Sequence, residues 1–539
     1  MPKDRPSAHA LTKVLRANHS GMCNAGKLSS VRKVILMKNL STLRPSRRRF
    51  LQTLGAGGVT AAALSAGLPA MIPGFGRGMA HAVETGGVQQ VTAAPATARL
   101  IPGGAMSTPV WAFNGTVPGS LLRVKQGEDV HVRFENQLAE PSSIHWHGVR
   151  VPNAMDGVPG LTQKPVAPGD TFDYRFNARD AGTYWYHPHI NSPTQLARGL
   201  YGALIVEEAD PISVDREFIW LIDDWRLGEN GEIDPVFNAG HDVGHAGRLG
   251  GLVTINGVAN PDISVRPGER IRLRMINTAN ARVFAIDFAG LAPHLIALDG
   301  HPVTPHVPDL PVFLFAPGMR ADFIVDVPPD ASGLFSLIDR FYDGLENPLA
   351  SLRVAGNPVR GDIAQTSMTL PDNPLPEPDL QNARREQLLY TGGMMGGGVL
   401  RHLVETGKID AGFLGEVRGM AQSMMGMMTG GGIWMVNGRD PERDELGPLF
   451  SLGRGESCVV TVTNATAWYH PIHLHGHAFR VLSRDGQPTR YQEWQDTVLL
   501  APAEQAEIAF VADNPGDWML HCHILEHKFG GMSGFIRTA

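Results

Sequence analysis

One sequence pattern occurs three times along this chain of 539 residues. Each copy opens with an Asn-Gly pair, and the three pairs begin at Asn114, Asn256 and Asn437. A stretch of alternating apolar and polar residues follows, and it ends near Asn136, Asn277 and Asn464. Asn-Gly favours a tight turn, and alternation favours a strand with one buried face. The repeat, with 62 Gly and 40 Pro available for turns, predicts an all-β protein of three Greek-key β-sandwich domains.

The three copies differ in their histidines. GTYWYHPH in the first copy parallels GDWMLHCH in the third, with Pro188 where the third has Cys522, so the first copy supplies imidazoles but no thiol. The second copy has FAIDFAG at the corresponding place and is expected to supply no metal ligand. We expect domains at 95–210, 211–357 and 430–539, with a Met/Gly-rich linker at 358–429.

Eight histidines form four H-x-H pairs, which are His145 and His147, His187 and His189, His473 and His475, and His521 and His523. On a strand, residues two apart point to the same face, so each pair places two imidazoles side by side. A single pair is commonly a feature of the surface or the core. Four pairs in one chain favour a metal site built from imidazoles.

A second ligand set overlaps the last pair. Cys522 lies between His521 and His523, so its thiol points to the opposite face of the same strand. His470, His527 and Met532 lie outside the four pairs. Two imidazoles, one thiolate and one weak thioether are the ligands of a blue-copper electron-transfer site. We therefore predict two kinds of metal centre that share one strand.

The motif H-C-H-x3-H-x4-M, from His521 to Met532, and the other histidine clusters resemble the signature of the multicopper oxidase family. The resemblance is to the three-domain bacterial laccases and cuprous oxidases, and it extends from Pro95 to the end of the chain. It implies three cupredoxin-like domains, with copper ions bound in the third domain and between the first and third.

By this resemblance the protein binds four copper ions. The implied ligands of one type 1 copper are His470, Cys522, His527 and axial Met532. One type 2 copper is assigned to His145 and His473. Two type 3 coppers are assigned to His147, His187, His189, His475, His521 and His523.

The same resemblance implies a copper-dependent oxidoreductase that uses dioxygen as its acceptor. Single electrons from a reductant would reach the thiolate site, pass along His521-Cys522-His523, and reduce dioxygen to water at the clustered imidazole sites. Asp156 matches the family acid that assists protonation at the cluster, and the alternative is an exposed Asp-Gly turn. Relatives commonly have glutamate directly after the last type 1 histidine, whereas this chain has Lys528, with Glu526 before that histidine.

The first 82 residues are typical of an export leader. A twin-arginine pattern at 46–52 precedes an alanine- and glycine-rich apolar run at 53–70, and Ala80-His81-Ala82 is a possible cleavage site. These features predict export by the twin-arginine pathway to the periplasm. The alternative is an uncleaved amphipathic arm.

Charge and composition exclude several classes of protein. The leader contains 13 of the 47 Lys and Arg but one of the 53 Asp and Glu, which leaves 34 basic and 52 acidic residues, a net charge of −18. This charge argues against nucleic-acid binding. No later apolar run approaches the roughly twenty residues of a spanning helix, so we expect no membrane contact after cleavage. We also expect a monomer. Three cysteines, Cys23, Cys458 and Cys522, are too few for a disulfide framework.

A methionine-rich segment bears on the substrate. Eight methionines lie close together in the linker and at the start of the third domain, at Met394, Met395, Met420, Met424, Met425, Met427, Met428 and Met435. Thioethers are soft ligands that favour Cu(I), although methionines also fill gaps in loosely packed loops. Three functions therefore remain open. The favoured one is a cuprous oxidase for copper detoxification, the second is a laccase-like oxidase of phenols or other small organic reductants, and the third is a copper-free structural relative, which is disfavoured because no ligand position is lost.

Overall fold

The computed structural model describes residues 87–103, 107–342, 344, 346–364, 366–409, 433–439 and 447–539. All of them belong to one unit, Ile72–Ala539. The predicted leader and Met420 to Met428 lie outside the described residues. Strands in six sheets dominate the described part, and its helices are short. The predicted all-β class is confirmed.

The first two sheets are formed by residues 89–207. Their strand orders are β2-β1-β4-β6 and β3-β8-β7-β5. The strands are β1 (Gln89–Ala98), β2 (Thr108–Phe113), β3 (Leu122–Lys125), β4 (Asp129–Asn136), β5 (His145–His147), β6 (Thr171–Asn177), β7 (Gly182–His187) and β8 (Gly202–Glu207). Alternate residues of β4 are buried, and Val132 and Phe134 join Trp146 in the core between the sheets. A short helix, α1 (Ser192–Ala197), follows β7.

The next two sheets have the orders β10-β9-β12-β17-β14-β15 and β11-β19-β18-β13-β16. Their strands are β9 (Arg216–Trp225), β10 (Leu252–Ile255), β11 (Asp262–Val265), β12 (Arg270–Asn277), β13 (Phe284–Asp287), β14 (His294–Leu298), β15 (His301–His306), β16 (Phe313–Phe315), β17 (Arg320–Asp326), β18 (Gly333–Asp339) and β19 (Asn347–Val354). Helix α2 (Gly240–Gly244) lies between β9 and β10.

The last two sheets have the orders β21-β20-β23-β29-β25-β26, with β27 paired to β25, and β22-β31-β30-β24-β28. Their strands are β20 (Arg384–Gly392), β21 (Trp434–Val436), β22 (Ser451–Leu452), β23 (Ser457–Asn464), β24 (His470–Leu474), β25 (Phe479–Arg484), β26 (Gln487–Pro488), β27 (Trp494–Gln495), β28 (Thr497–Leu500), β29 (Gln505–Val511), β30 (Gly516–Cys522) and β31 (Ser533–Thr538). Helix α3 (Gly396–Glu405) follows β20, and α4 (Leu525–Phe529) follows β30.

The three Asn-Gly pairs adopt the predicted turn. The φ angles at Asn114, Asn256 and Asn437 are 54°, 52° and 50°, and the glycine after each also has a positive φ. Both central residues of a type I′ turn need such angles. Each asparagine Oδ1 also accepts a main-chain N–H from a preceding strand, and the donors are Thr92, Leu221 and Leu389, at 2.8, 2.9 and 2.7 Å.

Because each turn is bonded to a preceding strand, each pair of sheets begins before the repeated pattern does. β1 begins at Gln89, upstream of the expected limit at residue 95. β20 lies inside the segment expected to be a linker, yet it pairs in parallel with β23 from Arg384 to Tyr390. The third pair of sheets therefore includes residues upstream of 430.

Candidate metal centres

Strand pairing brings the four H-x-H pairs together two by two. β5 and β7 are antiparallel, and His145 lies opposite His187. β24 and β30 are also antiparallel, and His473 lies opposite His521. Trp146, between the first two histidines, points the other way into the core. The period-two alternation of a strand thus separates ligand from core residue, as the sequence predicted.

Imidazoles of the first and last sheet pairs meet in one buried cluster. The rings of His145 and His475 are stacked with centroids 3.9 Å apart, and those of His147 and His473 are 3.8 Å apart. The ligand nitrogens fall into three groups, within each of which they lie no more than 4.8 Å apart: His145, His147 and His473; His147, His187 and His523; and His189, His475 and His521. The structure therefore brings together all eight histidines of the predicted cluster.

Hydrogen bonds hold one nitrogen of several rings and leave the other facing the cluster. His145 Nδ1 donates to the Asp156 carbonyl at 2.8 Å, and His473 Nδ1 donates to the Asp496 carbonyl at 2.9 Å. The Nε2 atoms of both rings are buried and have no hydrogen-bond partner among the described residues. An outer bond of this kind orients the ring and raises its basicity as a metal ligand.

The short distance between the imidazoles of His475 and His521 indicates that a cation binds between them. His475 Nδ1 donates to Asp156 Oδ2 at 2.9 Å, and His521 Nδ1 donates to the Cys522 carbonyl at 2.8 Å. The Nε2 atoms of these two neutral rings then present lone pairs to each other, at a distance of only 3.1 Å. Burial lowers the pKa of both imidazoles well below the usual value, so protonation does not relieve this contact at neutral pH. The donor set fits a metal ion.

The predicted thiolate site is also assembled and buried. Cys522 Sγ lies 3.4 Å from His470 Nδ1 and 3.7 Å from His527 Nδ1, and the two Nδ1 atoms are 3.0 Å apart. His470 Nε2 bonds Thr466 Oγ1 at 2.8 Å and His527 Nε2 bonds the His245 carbonyl at 2.7 Å, so both Nδ1 atoms are free to face the sulfur. Met532 is fully buried, and its carbonyl accepts the Cys522 N–H at 3.1 Å.

The ionisation of this site also favours a metal. Burial lowers the pKa of His527 to about 3, so its imidazole is neutral and can act as a ligand at pH 7. Burial raises the pKa of the Cys522 thiol. A bound metal ion would deprotonate it outright. Trp434 packs on both rings, with centroids 5.1 Å from His470 and 4.4 Å from His527.

Asp156 is buried against the cluster, so the alternative of an exposed turn is wrong. Its Oδ2 accepts from His475, and its Oδ1 lies 3.3 Å from His145 Nδ1. The packing is tight, because a Cβ on the next residue, Gly157, would lie 1.7 Å from the Ile144 carbonyl oxygen. A side chain there would displace the strand that contains His145.

A second carboxylate at the cluster was missed in the sequence. Asp496 Oδ1 lies 3.2 Å from His473 Nδ1 and 3.3 Å from His147 Nε2. Burial alone would raise the pKa of Asp496, but the charge of Arg320 and hydrogen bonds from these imidazoles hold it well below the usual value. The available signal was an aspartate that lies between two short buried strands, in the run from Trp494 to Leu500.

Arg320 connects this carboxylate to all three sheet pairs. It comes from β17, is fully buried, and donates to both Asp496 oxygens at 2.7 and 2.5 Å. It also donates to the carbonyl of Thr183 in β7 at 3.2 Å and to that of Asp299 at 2.9 Å. The second sheet pair contributes no histidine to the cluster, but it positions the acid that binds two of the cluster's rings.

The lysine that departs from the family pattern contacts the cluster directly. Lys528 Nζ lies 3.2 Å from His189 Nδ1 and 3.4 Å from Ser192 Oγ. Burial lowers the pKa of Lys528 to about 7. Glu526 points elsewhere, and its Oε1 accepts from Asn280 Nδ2 at 3.0 Å.

These sandwiches and ligand sets define a copper-binding protein of the cupredoxin type. Three family profiles, each described as multicopper oxidase, match residues 96–211, 222–350 and 420–539. Multicopper oxidase MmcO of Mycobacterium tuberculosis is 31% identical over 91% of this chain and 96% of its own length. The chain belongs to the multicopper oxidase family, whose members are copper-dependent enzymes that use dioxygen.

Other relatives differ in what their names state. Laccase-1 of Botryotinia fuckeliana is 30% identical, covering 79% of this chain and 78% of its own length. Copper resistance protein A of Escherichia coli is 26% identical, and the match covers 79% of this chain and 89% of its own length. The crystal structure of a multi-copper oxidase from Pseudomonas thermotolerans has a TM-score of 0.71 and 34% identity, covering 84% of this chain and 99% of that one. The predicted family, enzyme class and cupredoxin-like fold are confirmed.

Proposed function

We propose that this multicopper oxidase oxidises Cu(I) to Cu(II), as a copper-detoxifying cuprous oxidase. The observation that carries the proposal is a pair of exposed methionines, the first of which is hydrogen-bonded to the turn that contacts the thiolate site. Met394 and Met395 are 44% and 53% exposed. The Met394 carbonyl accepts from Trp468 Nε1 at 3.1 Å, and its N–H donates to the Gly244 carbonyl at 2.9 Å. Thioethers select Cu(I) over harder ions.

The ligand sets support the assignment predicted from the family. We assign type 1 copper to His470, Cys522, His527 and Met532, type 2 copper to His145 and His473, and the type 3 pair to His147, His187, His189, His475, His521 and His523. Four coppers of these types would take single electrons from a reductant and deliver four to dioxygen. We also propose twin-arginine export to the periplasm and a monomeric state. No helix in the described part of the chain is both long and apolar enough to cross a membrane.

Within this assignment, Asp156 holds and supplies protons. Its Oδ2 bonds His475 and its carbonyl bonds His145, so one residue contacts a ligand of each imidazole-bound copper type. The buried carboxylate lies next to the site where dioxygen would be reduced, which is the position that a proton relay requires.

Replacing Asp156 with Asn should lower kcat by about 100-fold, because the amide still accepts a hydrogen bond but cannot transfer a proton. Steady-state oxygen uptake and copper content per chain would be measured together. Full copper content with slow turnover is expected. Asp170→Asn, in an exposed turn, should match the unmodified protein. Normal turnover in Asp156→Asn would contradict the proton role.

A direct comparison of reductants tests the proposed function. We expect Cu(I) to support oxygen uptake with a larger kcat/KM than a phenol such as 2,6-dimethoxyphenol does. Replacing Met394, Met395 and the five methionines from 420 to 428 with Leu should lower the Cu(I) value at least tenfold and leave the phenol value within twofold. Substitution is preferable to deletion of the segment, because a deletion would remove α3, whose Val399 and Leu403 pack against Leu389. Met319→Leu, in the core of the second sheet pair, is the matched control.

The laccase-like alternative is supported by the 30% identity to a laccase. It would replace our proposal if the phenol were the better reductant and the methionine substitutions left Cu(I) turnover unchanged. A copper-free structural role is disfavoured, since all twelve predicted ligand residues are present and buried.

A further inference from the structure

Two histidines that no ligand motif includes lie next to the thiolate site. His241 is in α2 and His245 follows it, so they are four residues apart. Their rings are stacked, with centroids 4.2 Å apart and planes 12° apart. The His241 side chain is 70% exposed, and His245 is half-buried. Histidines four residues apart are a recurrent metal-binding arrangement where a turn brings them together, and the stacked rings show that this turn does so.

The ring nitrogens of this pair are available to a ligand. His245 Nδ1 donates to the His241 carbonyl at 2.8 Å, so the lone pair that a metal ion could bind is on Nε2. The Asp242 carboxylate between them is held by Arg226 at 2.6 and 3.0 Å, and it is 3.8 Å from His241 Nδ1. This acid therefore does not compete strongly for the imidazoles.

A thioether lies against the same turn. Met394 donates its N–H to the Gly244 carbonyl, and a Cβ on Gly244 would lie 3.5 Å from Met394 Cγ. Trp468 contacts both sides of the site, because its ring is 5.4 Å from that of His245 and its Nε1 bonds the Met394 carbonyl. Two imidazoles and one exposed thioether form a soft donor set.

A main-chain hydrogen bond connects this turn to the thiolate site. His527 Nε2 donates to the His245 carbonyl at 2.7 Å, and the other nitrogen of His527 faces Cys522. The imidazole of His245 is thus separated from a predicted type 1 ligand by a few covalent bonds and one short hydrogen bond. Charge that leaves an ion on His245 has a direct path to that ligand.

We propose that His241, His245 and Met394 form the docking site for substrate Cu(I), and that its electron leaves through His245 to His527. The inference rests on the proposed function. Each bound Cu(I) loses one electron and departs as Cu(II). Four such electrons and four protons convert one dioxygen molecule to two water molecules, so dioxygen is the only oxidant needed.

The test uses the copper-loaded protein and Ag(I), a redox-inert ion with the ligand preferences of Cu(I). His241→Ala/His245→Ala should lose one tight Ag(I) site in competition with a chromophoric chelator. Alanine at 245 retains the main-chain carbonyl, so the bond to His527, the blue colour and phenol turnover should be unchanged. His306→Ala is the control, because His306 is in β15 of the second sheet pair and its ring is stacked on that of Tyr491.

Two results would support the site: loss of one Ag(I) equivalent, and a fall in kcat/KM for Cu(I) of more than tenfold at constant phenol kcat/KM. Unchanged Ag(I) binding, or unchanged Cu(I) turnover in the double variant, would overturn it. Ag(I) binding is measured without turnover, so it tests the metal site separately from the proposed function. A protein that binds Ag(I) at this pair but oxidises phenols better than Cu(I) would contradict the proposed function and not the metal site.

Discussion

Cys522→Ser is expected to remove the intense blue absorption and lower oxygen uptake more than about 100-fold, since even outer-shell changes at metal sites typically cost 10–100-fold. The serine hydroxyl cannot replace a thiolate between His470 and His527, whose Nδ1 atoms are 3.0 Å apart. The strand itself should persist, because Cys522 pairs with Ile472 through its backbone. The near-ultraviolet band of the type 3 pair should therefore survive.

Visible and near-ultraviolet spectra of the purified, copper-loaded variant check this result. Cys458→Ser is the matched control, because Cys458 is also fully buried, in the core strand β23, and burial raises the pKa of its thiol to about 12. That change should cost about 1 kcal/mol of stability and leave the colour intact. Persistent blue colour in Cys522→Ser, or its loss in Cys458→Ser, would contradict the ligand assignment.

Arg320→Met is expected to destabilise the protein by about 3–5 kcal/mol, since it leaves two buried carboxylates without their counter-ion. Asp496 loses both of its bonds to the guanidinium, and Asp299 loses a neighbouring positive charge. The Asp496 carboxylate is then no longer held in contact with His473 and His147. We expect the type 2 copper signal in electron paramagnetic resonance to broaden or disappear before the blue colour does.

Denaturant unfolding and copper spectra of the same preparation measure both effects. Arg340→Met is the control, because its ion pair with Asp287 is on the surface and should contribute less than about 1 kcal/mol. If Arg320→Met unfolds like Arg340→Met and retains type 2 copper, the bridging role assigned to Arg320 is wrong.

The features that could be predicted from the sequence are those that depend on local backbone geometry. Asn-Gly at Asn114, Asn256 and Asn437 needs positive φ at successive residues, and the turn follows from that requirement alone. Period-two alternation similarly places His145 and His147 on one face and Trp146 on the other. The identity of the cluster was predictable because its ligands are rare residue types in a short, repeated spacing.

Residues that act through partners distant in sequence could not be found this way. Asp496 and Arg320 are 176 positions apart, and no local pattern shows that they form an ion pair with each other. His245 was missed because its link to His527 is a main-chain carbonyl, which any residue type provides. The first strands of the first and third sheet pairs lie upstream of the predicted limits for a related reason, since each precedes the repeated turn and contacts it through hydrogen bonds.

The amino-acid sequence alone determined the family, the repeated β architecture and the set of twelve predicted ligand residues, because turn angles and strand alternation depend on near neighbours. The tertiary structure alone decided which imidazoles lie within reach of one another, how Asp156 and Asp496 are buried against them, and what lies beside His527. Those outcomes depend on contacts between sheets from separate parts of the chain, and burial, which sets the charge of each group, exists only once the sheets have packed.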